Sequence, residues 1–199
     1  MDDCGTDGTR AILRRESDEI IGGALLEQNV GQHRAIFAGL GEVTTPQAVI
    51  LDGDLQDRPE ALPLLIEELH KADVVFAQRV GPVGPGSMLL KSLFRLASFG
   101  RLPARVGTNM ALGTKALEYL KTVRDPDPYL IGILALSGLS LHSLPVKRDE
   151  RDERLSSYTV WKRLHFGFRA LRGSGLLPWL PLMTEARTPR IAIRTGWLK

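Results

Sequence analysis

The sequence predicts an α/β fold, a mostly parallel sheet covered by helices on both faces. Three observations predict it. Strand-like and helix-like stretches alternate along the chain without an internal repeat. The candidate strand "QAVILDG" (47–53) is of the continuous apolar type found in parallel sheets, and "DVVFAQR" (73–79) reads as the next strand. The first of them runs into "LDGDLQDRPE" (51–60), with Asp52, Asp54, Asp57 and Glu60, and ligands of such sheets sit outside the carboxyl ends of the strands.

Each element has its own warrant. "GTRAILRR" (8–15) reads as a short helix capped by Thr6 or Asp7. "GALLEQN" (23–29) reads as a strand and "QHRAIFAGL" (32–40) as a helix. "PEALPLLIEELHKA" (59–72) is a helix that Pro63 can bend in its first turns. "VGPVGPG" (80–86) is a Gly/Pro loop, and "SMLLKSLFRLAS" (87–98) is helical. "NMALG" (109–113) suits a short strand before a helix over 114–123. "YLIGILALSG" (129–138) reads as a buried helix, "LSLHSLPVKR" (139–148) as a strand, and "SYTVWKRLHFGFRALR" (157–172) as an amphipathic helix.

Composition bounds the function. The 199 residues are 43% apolar and 25% charged, enough for one domain with a proper core. The single cysteine, Cys4, excludes an internal disulfide framework and a cysteine-built zinc site, and fits a reducing compartment. No run reaches the ~18 apolar residues of a spanning helix, and the acidic, polar start is no signal peptide. Net charge is +3, unevenly spread: residues 154–199 hold nine Lys or Arg against one acid, Glu185. An acidic body with a basic tail fits an anionic partner: nucleic acid, acidic lipid or a phosphorylated ligand. A merely solvated basic terminus is the plainer reading.

The acidic stretch carries the chemistry. In extended chain, residues two apart project to one side, so Asp52 and Asp54 can face one ion, with Gln56 following. Two carboxylates and an amide oxygen make a hard-cation site, suited to Mg²⁺ or Mn²⁺ and poor for zinc. The competing reading is an Asp-Gly turn at a strand end. In "DRPE", Asp57 precedes Glu60 by three with a proline between, the pattern of a capping box. Asp2, Asp3 and Asp7 form a second acidic cluster. Asp7 suits a helix cap, while Asp2 and Asp3 suit either a nucleotide's base or ribose or a solvated turn. His33, His70, His142 and His165 show no ligand spacing and read as structural or surface residues.

Together these pieces resemble the family 2 glycosyltransferases, in their polyprenyl-phosphate branch. "DDCGTDGT" (2–9) is similar to the family's "DDGSTDGT" turn. "NVGQHRAIFAGL" (29–40) is similar to its "N-x-G-Q-H-x-A-I-x-A-G" segment. "LDGDLQDRPE" resembles "DADLQDPPE", and "LPVKRDERDERLSSYTVWKRL" (144–164) resembles its "IPV…ER…GESKYS…KL" segment. The resemblance runs in order from Asp2 to about Leu171. It implies a nucleotide-diphospho-sugar transferase (GT-A type) sheet over 1–153, with 154–199 as a basic, juxtamembrane-like tail. It implies inverting transfer of a sugar from a nucleotide-sugar donor to a polyprenyl phosphate, with Mg²⁺ or Mn²⁺ on Asp52, Asp54 and Gln56. By position, Asp2, Asp3, Asp52 and Arg79 would serve the nucleotide donor. Lys91, Ser156 and Tyr158 would hold the acceptor phosphate, and Asp54 and Arg151 would act in catalysis.

The sequence also departs from the family. Ser157 replaces the lysine of "SKY", Arg154 replaces a glycine, and the loop after Arg79 lacks a second arginine. "GTNMALG" (107–113) replaces a segment that usually carries an acid or an arginine. The family's first strand and helix, which precede "DDGS", have no counterpart before Met1. The expectation is therefore an N-terminally truncated catalytic domain that is inactive or nearly so, and a decayed paralogue without catalysis is a second reading.

A polyprenyl phosphate is already an anionic nucleophile and needs little help from a general base. The burden falls on the leaving diphosphate, which explains metal ligands and arginines without a catalytic histidine. A soluble sugar acceptor would require a base beyond the D-x-D. A haloacid-dehalogenase phosphatase also places D-x-D after a buried strand, but its motif continues Gly-Thr where this one reads Leu-Gln. The amphipathic helix after Tyr158, with Trp161 and Phe168 on its apolar side, fits a membrane surface or ordinary packing on the sheet. The expected setting is peripheral, on the cytoplasmic face of the membrane, with no nucleic acid partner. Pairing between copies along an open sheet edge is a further expectation.

Overall fold

The computed structural model describes residues 1–15, 22–54, 56–80, 92, 95–96, 99–125, 128–147 and 191–195, with Arg79 and 191–195 described by backbone alone. The chain divides into two compact units, one formed by Met1–Thr44, Arg124–Pro128 and Pro181–Lys199, the other by Thr45–Val123 and Tyr129–Leu180.

In the first unit, helix α1 (Thr9–Arg15) follows the "DDCGTDGT" turn, and Asp7 accepts the Thr9 N–H at 3.1 Å. Strand β1 (Gly23–Leu26) is buried along its whole length. It ends three residues before the expected Asn29, because Glu27 and Gln28 turn toward helix α2 (Gln32–Gly41). Asp2 bridges β1 in parallel, donating its N–H to Ala24 and accepting that of Leu26. Strand β6 (Ile191–Thr195) pairs antiparallel with the same β1. This strand falls in the stretch expected to be a basic tail. Leu26 and Val30 pack with Ala35 and Ala38 of α2, which are three apart and so share one helix face.

The second unit holds a four-stranded sheet of order β2 (Ala48–Ile50), β4 (Val106–Leu112), β3 (Val74–Arg79), β5 (Leu141–Val146). β3 and β5 are parallel, while β4 runs antiparallel to both β2 and β3. β2, β3 and β5 therefore point the same way, with one reversed strand between β2 and β3. The sheet is mixed rather than a run of parallel pairs. One face carries Val49, Val75, Ala77, Ala111, Leu144 and Val146 against Ala61, Leu65 and Leu69. Those three are spaced by four, the stripe of an amphipathic helix. Val74, Phe76, Met110 and Leu112 alternate to the opposite face and are equally buried, so both faces are covered. This explains the continuous apolar runs.

The expected helix 59–72 is α3 (Leu62–Glu67) between two 3₁₀ turns, Pro59–Ala61 and Glu68–His70. The proline expected to bend it, Pro63, stands in its first turn, where a missing N–H costs little. Helix α4 (Thr114–Thr122) buries Ala116, Leu117 and Leu120. Helix α5 (Leu130–Leu136) is buried from Leu130 to Ala135, as its all-apolar sequence requires. Tyr129, just before it, is buried enough to push its hydroxyl pKa up to about 12. Residues 92, 95 and 96 are helical. The remainder of the expected helix 87–98, the loop 81–86 and the helix 157–172 lie outside the described residues. Among the described residues no helix is long and apolar enough to cross a membrane.

Candidate active site

The carboxyl ends of β2, β3 and β5 come out on the same side of the sheet, next to the amino end of β4. A small pocket lies there, lined by Asp52 and Asp57 after β2, Ala77 and Gln78 at the end of β3, Val146 at the end of β5, and Gly107, Thr108 and Asn109 at the start of β4. Its volume of about 10 Å³ is room for about one water.

Two local features build it. β2 stops at Ile50, three residues short of the expected Gly53, because Gly53 and Asp54 form a turn. Asp52 still falls opposite Thr108 in the register that pairs Ile50 with Met110, and Thr108 Oγ1 donates to Asp52 Oδ1 at 3.0 Å. The second feature is a bulge in β4. Phe76 pairs with Met110 and Gln78 with Val106, so Gly107, Thr108 and Asn109 together face the single residue Ala77. A bulge breaks the strict alternation of side chains, and here adjacent Thr108 and Asn109 both line the pocket.

The lining is rich in oxygen. Asp57 is 4% exposed and Asn109 7% exposed. Asn109 Oδ1 has no hydrogen-bond partner among the described residues. The expected capping box at Asp57 does not form: the 3₁₀ turn starts at Pro59, with Arg58 in the cap position and no side-chain cap. Pro59 lacks an N–H to be capped, and Asp57 turns into the pocket instead. Asp54 is exposed and accepts the Gln56 N–H at 3.2 Å. The Asp-Gly turn is thus present, and the extended geometry assumed for Asp52 and Asp54 is not. No cluster of three His, Cys, Asp or Glu able to hold a metal occurs among the described residues. The donors at the pocket are carboxylate, amide and hydroxyl oxygens. These suit a hard cation or its waters, and an orphaned buried acceptor fits such an occupant.

A brace at the opposite end fixes the register of β3 on β5. Ser140 Oγ accepts the Asp73 N–H at 2.9 Å and donates to Asp73 Oδ2 at 2.6 Å, and the Ser140 N–H reaches the same oxygen at 2.9 Å. The Ser140 hydroxyl, followed by its N–H, lowers the Asp73 carboxyl below its usual range.

Asp2 and Asp3 belong to the first unit. Asp2 is buried, with Oδ2 2.9 Å from Arg10 Nε, and Arg10 also donates to the Leu26 carbonyl. The bond to Asp2 raises the Arg10 pKa. Asp3 Oδ1 accepts the Val30 N–H at 2.7 Å and Oδ2 the Gly31 N–H at 2.8 Å. Asn29 Nδ2 donates to the Asp3 carbonyl at 2.9 Å. Gly31 has φ 88°, a left-handed conformation that favours glycine. The "DD" turn and the "NVGQ" segment are therefore one hydrogen-bonded unit, with Asp3 stabilising the start of α2.

The structure thus brings Asp52 to the pocket and joins Asp54 to Gln56 and Asp3 to the α2 loop. Arg79 ends β3 opposite Val146. Lys91, Arg151, Ser156 and Tyr158 lie outside the described residues. Asp57 was read from sequence as a helix cap rather than a site residue, and Gln78, Thr108 and Asn109 were not singled out. The signal available was "GTN", three small or polar residues opening an otherwise apolar strand.

The profile of "Glycosyl transferase family 2" matches residues 1–113. The chain is 26% identical over 187 residues to "Bactoprenol glucosyl transferase" of Shigella phage SfX, covering 89% of this chain and 61% of the relative. It is 41% identical over 70 residues to "Undecaprenyl-phosphate 4-deoxy-4-formamido-L-arabinose transferase" of Sodalis glossinidius (strain morsitans), covering 34% of this chain and 22% of the relative. It is 23% identical over 161 residues to "Uncharacterized glycosyltransferase sll0501" of Synechocystis sp., covering 77% of this chain and 50% of the relative. The chain spans about 61% of the length of the curated relative it matches along most of its own length.

Proposed function

Because this chain belongs to glycosyl transferase family 2, we propose that it transfers a sugar from a nucleotide-sugar donor to a polyprenyl phosphate. The observation that carries this reading is the position of Asp52. It lies within the stretch matched to the family, at the carboxyl ends of the three co-directional strands, in a pocket of oxygen donors. The names of the relatives, which carry bactoprenol and undecaprenyl phosphate, support a polyprenyl phosphate as the acceptor here.

In the reaction proposed, an oxygen of the acceptor phosphate attacks the anomeric carbon. The bond from that carbon to the nucleoside diphosphate breaks, and its electron pair leaves on the diphosphate. Attack opposite the leaving group inverts the carbon. The acceptor oxygen carries no proton to remove, so the lack of a histidine among the described residues of the pocket is no obstacle. A bound Mg²⁺ or Mn²⁺ would supply charge neutralisation at the diphosphate. Asp52, Asp54 and Gln56 would hold that ion, Asp2 and Asp3 would position the nucleotide, and Arg79 and Arg151 would stabilise the leaving charge. Lys91, Ser156 and Tyr158 would hold the acceptor phosphate. The basic segment 154–199 would lie on anionic lipid, each Lys or Arg near the surface contributing about 1 kcal/mol.

The test is a transfer assay with the 199-residue chain, a panel of labelled nucleotide sugars, Mn²⁺, and undecaprenyl phosphate in vesicles. The expected result is labelled lipid with one donor, at least ~100-fold less of it with Asp52→Asn, and a faster rate on anionic than on neutral vesicles at low salt. No labelled lipid with any donor, from folded protein, would count against the proposal. Transfer indifferent to lipid charge would remove the membrane role of the tail.

A further inference from the structure

The pocket contains a buried acceptor that the proposed reaction has not used. Asn109 Oδ1 is without a partner among the described residues, on a side chain 7% exposed. Leaving such a group unpaired is unfavourable, because it gives up its hydrogen bond to water and gains none in return. The position is not a packing accident of a regular strand. The bulge opposite Ala77 brings Asn109 to the same pocket as its neighbour Thr108, whose hydroxyl is already bonded to Asp52.

The chemistry of the lining decides what would satisfy it. Asp52 and Asp57 are acceptors, and the Thr108 proton is directed at Asp52. Gln78 lines the same pocket with its Oε1 accepting from Ser143, which leaves its amide N–H groups as donors, yet Asn109 Oδ1 is without a partner among the described residues, and there is room for about one water. A water coordinated to a divalent cation is a stronger donor than a free one, because the ion polarises its O–H bonds. We infer that Asn109 is a positioning residue for the cation at Asp52, its Oδ1 accepting a hydrogen bond from a water that the cation carries. This inference rests on the proposed metal-assisted transfer. It assigns Asn109 a role that the D-x-D motif does not contain. Mg²⁺ and Mn²⁺ usually keep several waters when protein-bound, and partners of those waters typically change metal affinity 10–100-fold.

The test is a Mn²⁺ titration followed by electron paramagnetic resonance, on the full chain with UDP present and no acceptor, so the readout does not depend on turnover. Wild type, Asp52→Asn, Asn109→Leu and Asn109→Asp are compared after circular dichroism confirms folding. Asn109→Leu keeps the branching at Cγ, at a larger volume, and removes the acceptor, whereas Asn109→Asp keeps an acceptor oxygen. The expected result is about tenfold weaker Mn²⁺ binding for Asn109→Leu, and affinity at or above wild type for Asn109→Asp. Should the leucine variant not fold, Asn109→Ser, which draws the acceptor back, carries the same expected weakening. Wild-type affinity in Asn109→Leu, with binding lost in Asp52→Asn, overturns the role of Asn109 and leaves the proposed function standing. Absence of Mn²⁺ binding by wild type with UDP and, in a parallel titration, with GDP overturns both.

Discussion

Asp73 and Ser140 show how single residues position a distant site. Their three hydrogen bonds close the start of β3 onto the start of β5, and β3 and β5 end at the pocket. The Asp73 carboxyl is held below its ordinary value of 3.8 by the Ser140 hydroxyl first. A depressed folded-state pKa stabilises the fold above the unfolded value and loses that contribution as pH falls through the folded one. Ser140→Ala is therefore expected to lower stability by about 1 kcal/mol near neutral pH, and the gap to wild type should narrow as the pH falls below about 3.8. Urea denaturation at pH 7 and pH 3 measures this, and a gap of constant size would show that the carboxylate is not the partner that matters. At the same scale, the sequence singled out Asp52 as a candidate ligand at a strand end, against the reading of an Asp-Gly turn, and the structure places it at the pocket. Asn109 was not singled out. Whether an amide beside an apolar run is buried and unpaired depends on what three neighbouring strands leave around it.

Elements differ in how far local pattern defines them. The spacing of Ala61, Leu65 and Leu69 and the wholly apolar α5 announced themselves. The bulge in β4 did not, since it arises from register against β3 rather than from a turn-forming residue. The same holds for strand β6, whose partner β1 lies far away in sequence. Helix α2 depends on a residue outside itself. It has no side-chain cap of its own, while the Asp3 carboxylate accepts the Val30 and Gly31 N–H groups just before it. Asp3→Ala should lower stability by about 2 kcal/mol through these two charge-assisted bonds, seen as a melting temperature lower by several degrees. An unchanged melting temperature would mean that water replaces the carboxylate without loss. A loss of nucleotide affinity at unchanged stability would place Asp3 at the ligand alone.

For the whole molecule, alternation of elements and apolar strands led to the correct fold class, α/β, but not to the reversed strand. β4 reads as apolar as its neighbours, and strand direction follows from connections that hydropathy does not encode. That reversal has a consequence for the site. It places the amino end of β4, with Thr108 and Asn109, beside the carboxyl ends of β2, β3 and β5, so the pocket draws polar groups from both kinds of strand end. We propose that Asp52, which lines this pocket, holds a divalent cation that is bound to a nucleoside diphosphate. Isothermal titration of UDP and GDP into the chain, with Mn²⁺ and with EDTA, tests it most directly. Binding of one nucleotide that requires Mn²⁺ and is lost in Asp52→Asn is the expected result. Equal affinity with and without the metal, or metal-dependent binding retained in Asp52→Asn, would contradict it.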